Sequence, residues 1–358
     1  MRIGIIGAGQ LGQMLGFAAR DLDIECRFLD PSPAPPASVC GEIIQRPFDD
    51  ATALAELART CDVITYEFEN VPVAALQRIE NDVPIYPPVD ALRQAQDRLF
   101  EKQLFAALRI PLPGYHAIGT AEDVVVAADK LGLPMVVKTR RLGYDGKGQI
   151  VVREQRGVKT AWKAVGGQAL IAEQWVDFDM EISAIGVRNA AGDIRTYPLT
   201  QNVHSEGILR TSTAPLDDAV LERKASGFMR SLLEHLEYVG VLALELFVRG
   251  DELLANEFAP RVHNSGHWTI EGSATSQFEN HLRAVTGLPL GSTRSLGHAG
   301  MVNLIGEIPS AVRELTGVHL HDYGKTPRPG RKLGHVSVVA ETAGRRDERV
   351  EGVSAIVN

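Results

Sequence analysis

Leu244-Glu-Leu-Phe-Val-Arg-Gly-Asp-Glu-Leu-Leu-Ala-Asn-Glu257 reads as a β-hairpin, two strand-like runs on either side of a Gly250-Asp251 turn. With the turn centred on Asp251, antiparallel pairing sets Glu245 opposite Glu257. Directly opposed residues have Cβ atoms about 4.5–5.5 Å apart on one face of the sheet. Two carboxylates so placed repel one another unless a cation lies between them or one is protonated. A magnesium ion held by one or two carboxylates and by nucleotide phosphates resolves the conflict. The competing reading is a pair of exposed glutamates on a solvated strand face. Against it stand the apolar flanks Leu244, Leu246 and Phe258 and the stretch that follows, where Arg261, His263 and Asn264 make poor core filler.

A second stretch, Arg141-Leu-Gly-Tyr-Asp-Gly-Lys-Gly-Gln149, follows the apolar run Pro134-Met-Val-Val-Lys138. A loop this rich in glycine brings backbone N–H groups close to an anion, and Lys147 adds positive charge, so phosphate is the natural guest. It is not a P-loop, because only Tyr144 and Asp145 separate the first glycine from Gly146-Lys147, and Gly148 stands where Ser or Thr would bind magnesium. With strands at Pro134–Thr139 and Gln149–Arg153, residues 140–149 become the flap of a hairpin over a ligand. Lys138, near the end of an apolar strand, needs an anion for its ammonium. At the N-terminus, Ile6-Gly-Ala-Gly-Gln-Leu-Gly12 matches GxGxxG between a strand and a helix, and Asp30 ends the next strand. A dinucleotide site is a fair reading of those facts. Glycine turns of this form also occur in α/β layers that bind no dinucleotide, and no hydride acceptor site is visible elsewhere.

The chain has 358 residues, enough for two or three domains. A net charge of −8 argues against a general nucleic-acid or membrane-surface binder. Cys26, Cys40 and Cys61 lack zinc or CxxC spacing and fit free thiols in a reducing cytoplasm. No secretion signal is visible, nor an apolar run of the roughly 18 residues a membrane span needs. Strands at Arg2–Ile6, Ile24–Leu29 and Asp62–Thr65 alternate with helical stretches, which predicts an α/β fold opening with a parallel sheet. Asn81–Asp90, with three prolines, reads as a boundary, and Ala91–Leu108 as one helix. Strands at Ala169–Gln174 and Met180–Val187 and a helix at Ala219–Tyr238 precede the hairpin, and the basic loop Lys325-Thr-Pro-Arg-Pro-Gly-Arg-Lys332 lies among short strands beyond it. The expected domains are 1–90, 91–288 and 289–358.

A glycine flap, a strand lysine before it and two carboxylates on late antiparallel strands together resemble the ATP-grasp superfamily. More narrowly, the chain resembles the N5-carboxyaminoimidazole ribonucleotide synthetase family. The likeness rests on Gly7–Gly12, Tyr144-Asp-Gly-Lys-Gly-Gln149, Pro198–His204, Gly207–Ser212, Asn256–Trp268 and Arg328–His335. It implies an ATP-grasp fold behind a Rossmann-like pre-ATP-grasp domain, with a small C-terminal domain completing the substrate site. It implies an ATP- and bicarbonate-dependent ligase of purine biosynthesis that makes carboxyphosphate and transfers its carboxyl group to 5-aminoimidazole ribonucleotide.

By that likeness Arg98 and Lys138 contact ATP phosphates, and Tyr144, Asp145, Gly146, Lys147, Gly148 and Gln149 fold over them. Glu173, Gln174, Trp175 and Val176 meet the adenine edge, Glu181 the ribose, and His204 and Asn256 line the nucleotide site. Glu245 and Glu257 hold Mg2+. Gln10, Leu11, Glu69, Asn264, Lys325, Arg331 and Lys332 bind the acceptor, whose phosphate suits convergent cations. Asp145 faces the amine as a base, and Arg261 and His263 steady the carboxyl oxygens. Blander readings remain beside these: Asp145 a turn former, His263, His267 and Trp268 interior packing, and Arg98 a helix charge paired with Glu101 or Asp97. The likeness also implies a cytoplasmic homodimer passing its product to a carboxyaminoimidazole ribonucleotide mutase, with no nucleic acid or membrane partner. Other functional readings are a formate-using glycinamide ribonucleotide transformylase, an NAD-dependent oxidoreductase and a nucleotide-binding subunit without turnover. The likeness weakens at Glu341–Asn358, short and charged where the family continues with a helix and a strand.

Overall fold

The β-branched runs of the first ninety residues form a parallel sheet in the computed structural model, which describes residues 1–143 and 148–357. Strands β1 (Arg2–Ile6), β2 (Glu25–Leu29), β3 (Glu42–Ile44) and β4 (Val63–Tyr66) pair in the order β3-β2-β1-β4. Both faces are covered, as a parallel sheet requires. Ile3, Ile5 and Phe28 pack with Leu11, Met14 and Leu15 of the Gln10–Asp21 helix, and Ile6, Leu29 and Ile64 with Leu54 and Leu57 of the Ala51–Thr60 helix.

A second sheet contains β5 (Tyr115–Ile118), β6 (Met135–Thr139), β7 (Gln149–Val152) and β8 (Leu170–Gln174), antiparallel in the order β5-β8-β6-β7. The β6–β7 hairpin sets Lys138 opposite Gln149. One face carries Val124, Ala127 and Ala128 of the Ala121–Leu131 helix and Val158 and Ala161 of the Gln155–Ala164 helix.

The third sheet has nine strands: β9 (Met180–Arg188), β10 (Ile194–Thr196), β11 (Thr200–Ser205), β12 (Ile208–Ala214), β13 (Gly240–Arg249), β14 (Glu252–Ala259), β15 (His298–Ile305), β16 (His319–Asp322) and β17 (Lys332–Ala340). Its order is β14-β13-β9-β11-β12-β15-β17-β16, with β10 on β9, so β14 is an edge. Leu221, Ala225, Met229, Leu232 and Leu233 of the Ala219–His235 helix pack on Leu242, Leu244 and Leu246 of β13. The C-terminal strands continue the same sheet through β12–β15 pairing.

Two elements differ from the sequence reading. Ala91–Leu108 is two helices, Val89–Ala95 and Arg98–Ala107. The Asp97 carboxylate accepts the Leu99 N–H at 3.0 Å and starts a new helix, while the Gln96 amide donates to Glu69 O and Val71 O, both at 2.7 Å. The tail, read as short and charged, holds a helix, Ala343–Val357, that buries Arg346, Val350 and Val353 beside β15 and β17. Its charges are spaced to leave Val350, Val353 and Val357 on one face.

Candidate active site

The two glutamates are brought together by an irregularity. Around the Gly250-Asp251 turn Arg249 pairs with Glu252, Phe247 with Leu254 and Leu246 with Ala255. The register then shifts, and Glu245 faces Glu257. In the unshifted register Glu245 would oppose Asn256, and Glu257 would fall opposite Leu244 on the other face. The turn therefore centres between Gly250 and Asp251, and an extra residue in β14 restores the Glu245–Glu257 pairing expected from a turn on Asp251.

Burial and the facing Glu257 push Glu245 up to about 7. Burial also works upward on Glu257, but Arg98, with its Nη1 2.7 Å from Oε2, and Lys138 and Lys102 outweigh it and hold Glu257 below its ordinary value. His263 Nε2 lies 3.5 Å from Glu245 Oε1, and its Nδ1 meets Ser265 Oγ at 2.9 Å. Burial and then the Arg261 charge hold His263 well below the usual imidazole range, so it stands neutral at pH 7. The unmet electrostatic demand falls on Glu245, and a divalent cation shared with Glu257 fits it.

Lys138 finds its anion in Glu173, Nζ to Oε2 2.9 Å, and the wholly buried Lys102 lies 3.6 Å from the same oxygen. Burial alone would raise Glu173, yet Lys102, Lys138 and Arg98 hold it at about 2. Arg98 pairs with Glu257, not with Asp97 or Glu101. The sequence reading missed Lys102 and gave Glu101 only as a helix partner for Arg98, whereas both are buried on the Arg98–Ala107 helix. A signal was present: positions 98, 101 and 102 are i, i+3 and i+4, three charged residues on one helix face.

A cleft of about 480 Å³ opens between the small and large sheets. Val136, Lys138, Gln149 and Val151 form one wall, and Glu181, His204, Glu245, Phe247, Asn256 and Glu257 the other. Glu173, Gln174, Trp175 and Val176 run along the connection. The Gln174 and Trp175 N–H groups are already committed, to Gly114 O at 2.7 Å and Pro134 O at 3.3 Å. His204 Nδ1 pairs with Glu181 Oε2. Burial depresses His204, but its bond to Glu181 and the Glu245 charge outweigh that and leave it above its ordinary value.

A second cavity of about 250 Å³ is lined by Gln10, Leu11, Glu69 and Arg261, and it shares Arg98, Glu245, Glu257, His263, Asn264 and Lys332 with the first. Arg261 Nη2 lies 3.0 Å from Glu69 Oε1. Both polar atoms of the Asn264 amide are buried without a protein partner, which suits them to a bound ligand. Lys325 Nζ donates to Gln10 Oε1 and joins the basic loop to the N-terminal turn. Burial, with Arg331 next, lowers Lys325 to about 8. Neither Lys325 nor Arg331 lines either cavity, and Arg331 donates to Thr326 O at 3.1 Å. Gly148 lines neither, and Tyr144, Asp145, Gly146 and Lys147 lie outside the described residues.

The N-terminal glycine turn is filled by the chain's own carboxylates. Gly9 N–H donates to Glu67 Oε1 at 2.7 Å, and Ala8 N–H to Asp30 Oδ2 at 2.9 Å. A Cβ on Gly7, at φ +100°, would sit 2.8 Å from Glu67 Oε1. The amides and the acid that a dinucleotide would need are occupied, which removes the ground for the NAD reading.

A family model described as the ribonucleotide synthetase preATP-grasp domain matches residues 1–96, one described as the ATP-grasp domain 103–278, and one described as the phosphoribosylaminoimidazole carboxylase C-terminal domain 299–349. The chain is 45% identical over 359 residues to the N5-carboxyaminoimidazole ribonucleotide synthase of Pseudomonas aeruginosa, covering 100% of this chain and 99% of that protein. The chain belongs to the N5-carboxyaminoimidazole ribonucleotide synthetase family. Among solved members of the family, the Thermus thermophilus synthetase superposes with a TM-score of 0.95 at 49% identity, over 99% of this chain and 98% of that one. The Aspergillus clavatus family member in complex with ADP and 5-aminoimidazole ribonucleotide superposes at 0.92 with 30% identity, over 99% and 98%. Family membership and the filled glycine turn together leave the ATP-grasp ligase as the reading for the two joined cavities.

Proposed function

We propose that the protein is an ATP-dependent carbon–nitrogen ligase that carboxylates 5-aminoimidazole ribonucleotide to N5-carboxyaminoimidazole ribonucleotide in purine biosynthesis, with bicarbonate as co-substrate and ADP and phosphate released. The observation that carries the reading is the wall of Arg98, Glu245, Glu257, His263, Asn264 and Lys332 common to both cavities. An activated carboxyl group formed in one cavity is then delivered to an amine in the other without leaving the protein.

Arg98 and Lys138 line the phosphate end of the larger cleft, already oriented by Glu257 and Glu173, with Lys102 buried behind Glu173. They lose little freedom when anionic oxygens arrive, which is how such sites stabilise phosphoryl transfer. Glu245 and Glu257 would hold the magnesium ion that accompanies ATP, which supplies charge neutralisation at the phosphoryl oxygens when bound. Bicarbonate attacks the γ-phosphoryl group, and the exocyclic amine of the acceptor takes the carboxyl group from the resulting carboxyphosphate. Neutral His263 in the shared wall and Arg261 in the smaller cavity beside it, braced by Glu69, would orient carboxyl oxygens. Lys325 and Lys332 receive the acceptor's phosphate, Gln10 and Leu11 close the opposite side, and Asp145 serves as base for the amine. The labile intermediate needs protection from water, the purpose the 140–149 flap would serve.

The reading extends to a cytoplasmic homodimer whose product is consumed by a carboxyaminoimidazole ribonucleotide mutase. No helix among the described residues is long and apolar enough to cross a membrane. The test is ADP release from Mg-ATP with 5-aminoimidazole ribonucleotide, with and without bicarbonate, set against glycinamide ribonucleotide plus formate. Bicarbonate-dependent turnover on the first acceptor is the expected result. Turnover on the second acceptor without bicarbonate would overturn the choice.

A further inference from the structure

The bulge that turns Glu257 toward Glu245 needs support, since β14 is the edge of its sheet and its outward backbone groups face no further strand. The Arg98–Ala107 helix lies along that edge and provides it. Lys102 Nζ donates to Asn256 O, and Glu101 Oε1 accepts the Phe258 N–H at 2.7 Å. These two contacts grip the main chain on both sides of Glu257. A turn earlier, Arg98 reaches the Glu257 carboxylate itself. Further along the edge, the Ala255 N–H donates to Pro111 O at 2.7 Å. Glu101 and Lys102 are 2% and 0% exposed, a costly placement for two ionisable side chains unless their polar atoms are used.

We infer that Glu101 and Lys102 are positioning residues of the reaction: by clasping Asn256 O and Phe258 N–H they hold the β14 bulge and so aim Glu257 into the cleft beside Glu245. Neither needs to touch nucleotide or acceptor for this. Without the clasp the strand is free to relax toward the unshifted register, in which Glu257 leaves the cleft face. The inference rests on the proposed function, in which a divalent cation accompanies the nucleotide.

The test uses the full chain and compares calorimetric affinities for AMP-PNP with and without magnesium in native protein, Glu101→Gln and Glu101→Met. Glutamine keeps an acceptor for the Phe258 N–H, and methionine fills the same space without one. In Glu101→Met the magnesium-dependent gain in affinity should fall by about tenfold or more, the usual loss when a group orienting a metal ligand is removed. Its metal-free affinity should stay within about twofold of native. Glu101→Gln should keep the native gain. If Glu101→Met does not fold, Glu101→Asn takes its place, because its amide is one methylene too short to reach Phe258 N–H. A full native gain in a variant lacking the acceptor overturns the clasp, whatever happens to its melting temperature. No magnesium-dependent gain in the native protein would overturn the ligase reading and the clasp with it.

Discussion

Replacing Glu173 by glutamine should destabilise the protein by ~3 kcal/mol at pH 7. The carboxylate lies 2.9 Å from Lys138 Nζ and 3.6 Å from Lys102 Nζ, in a site where its side chain is 4% exposed. At an effective dielectric of about 20 the nearer contact alone is a gross attraction of ~6 kcal/mol, from which the desolvation of both ions must be subtracted. The depression of the buried carboxyl reflects the net of these effects. A folded value of about 2 against an ordinary 4.5 corresponds to ~3 kcal/mol. The folded value is depressed, so this stability is fully present above about pH 4.5 and is lost as the pH falls toward 2. Removal of one partner from a buried ion pair independently suggests about 3–5 kcal/mol. Urea denaturation of native and Glu173→Gln protein should show the deficit undiminished from pH 8 to pH 5 and narrowing in more acid buffer. For a chain of 358 residues unfolding in one step, the melting temperature should fall by ~4 °C. A Glu173→Gln variant within about 1 kcal/mol of native at pH 7 would refute the reasoning, since it would mean that the two lysines do not need the charge.

Glu257→Gln should abolish ADP formation while leaving the far-ultraviolet circular dichroism unchanged; normal turnover would remove Glu257 from the cation site. Burial lowers Lys325 to about 8, so kcat/KM for the acceptor nucleotide should be flat in mildly acid buffer, fall to about half near pH 8 and decline further above it. Lys325→Met should lower kcat/KM and lose that alkaline limb; an unchanged pH profile would assign the limb elsewhere. Trp268 is fully buried with its Nε1 donating to Thr200 Oγ1 at 2.9 Å, so Trp268→Ala should destabilise by about 3–5 kcal/mol in urea. A loss under about 1 kcal/mol would show that the site collapses without strain.

The parts legible in the sequence are those that local pattern controls. Alternation and glycine punctuation were enough for the parallel sheet and the β6–β7 hairpin, because strand period and turn chemistry act over a few residues. Glu245 and Glu257 could be paired by counting from the turn. The bulge that makes the count work could not be read, because it depends on Glu101 and Lys102 reaching across from another element. The break at Asp97 was hidden by the helical periodicity on both sides of it, and its capping role becomes plain only when the Leu99 N–H is seen to turn toward it. Glu173 was placed on a strand, as it is, but its charge was invisible as a partner for Lys138, since residues 35 apart in the chain carry no mutual signal. The GxGxxG turn misleads for the same reason: Glu67, which fills it, comes from β4's end of the sheet, 58 residues from Gly9.

The unbroken ladder from β14 through β12 to β17 has a mechanical meaning. Glu245 and Glu257 at one end and the strand that begins at Lys332 near the other belong to a single hydrogen-bonded plate, so with its main-chain pairs intact their separation changes only by twist or bending of that plate. The small sheet carrying Lys138 and Glu173 shares no such ladder with that plate. On the proposed assignment of Lys332 to the acceptor, a tilt of the small sheet would leave the gauge between the acidic pair and that lysine to the large sheet alone.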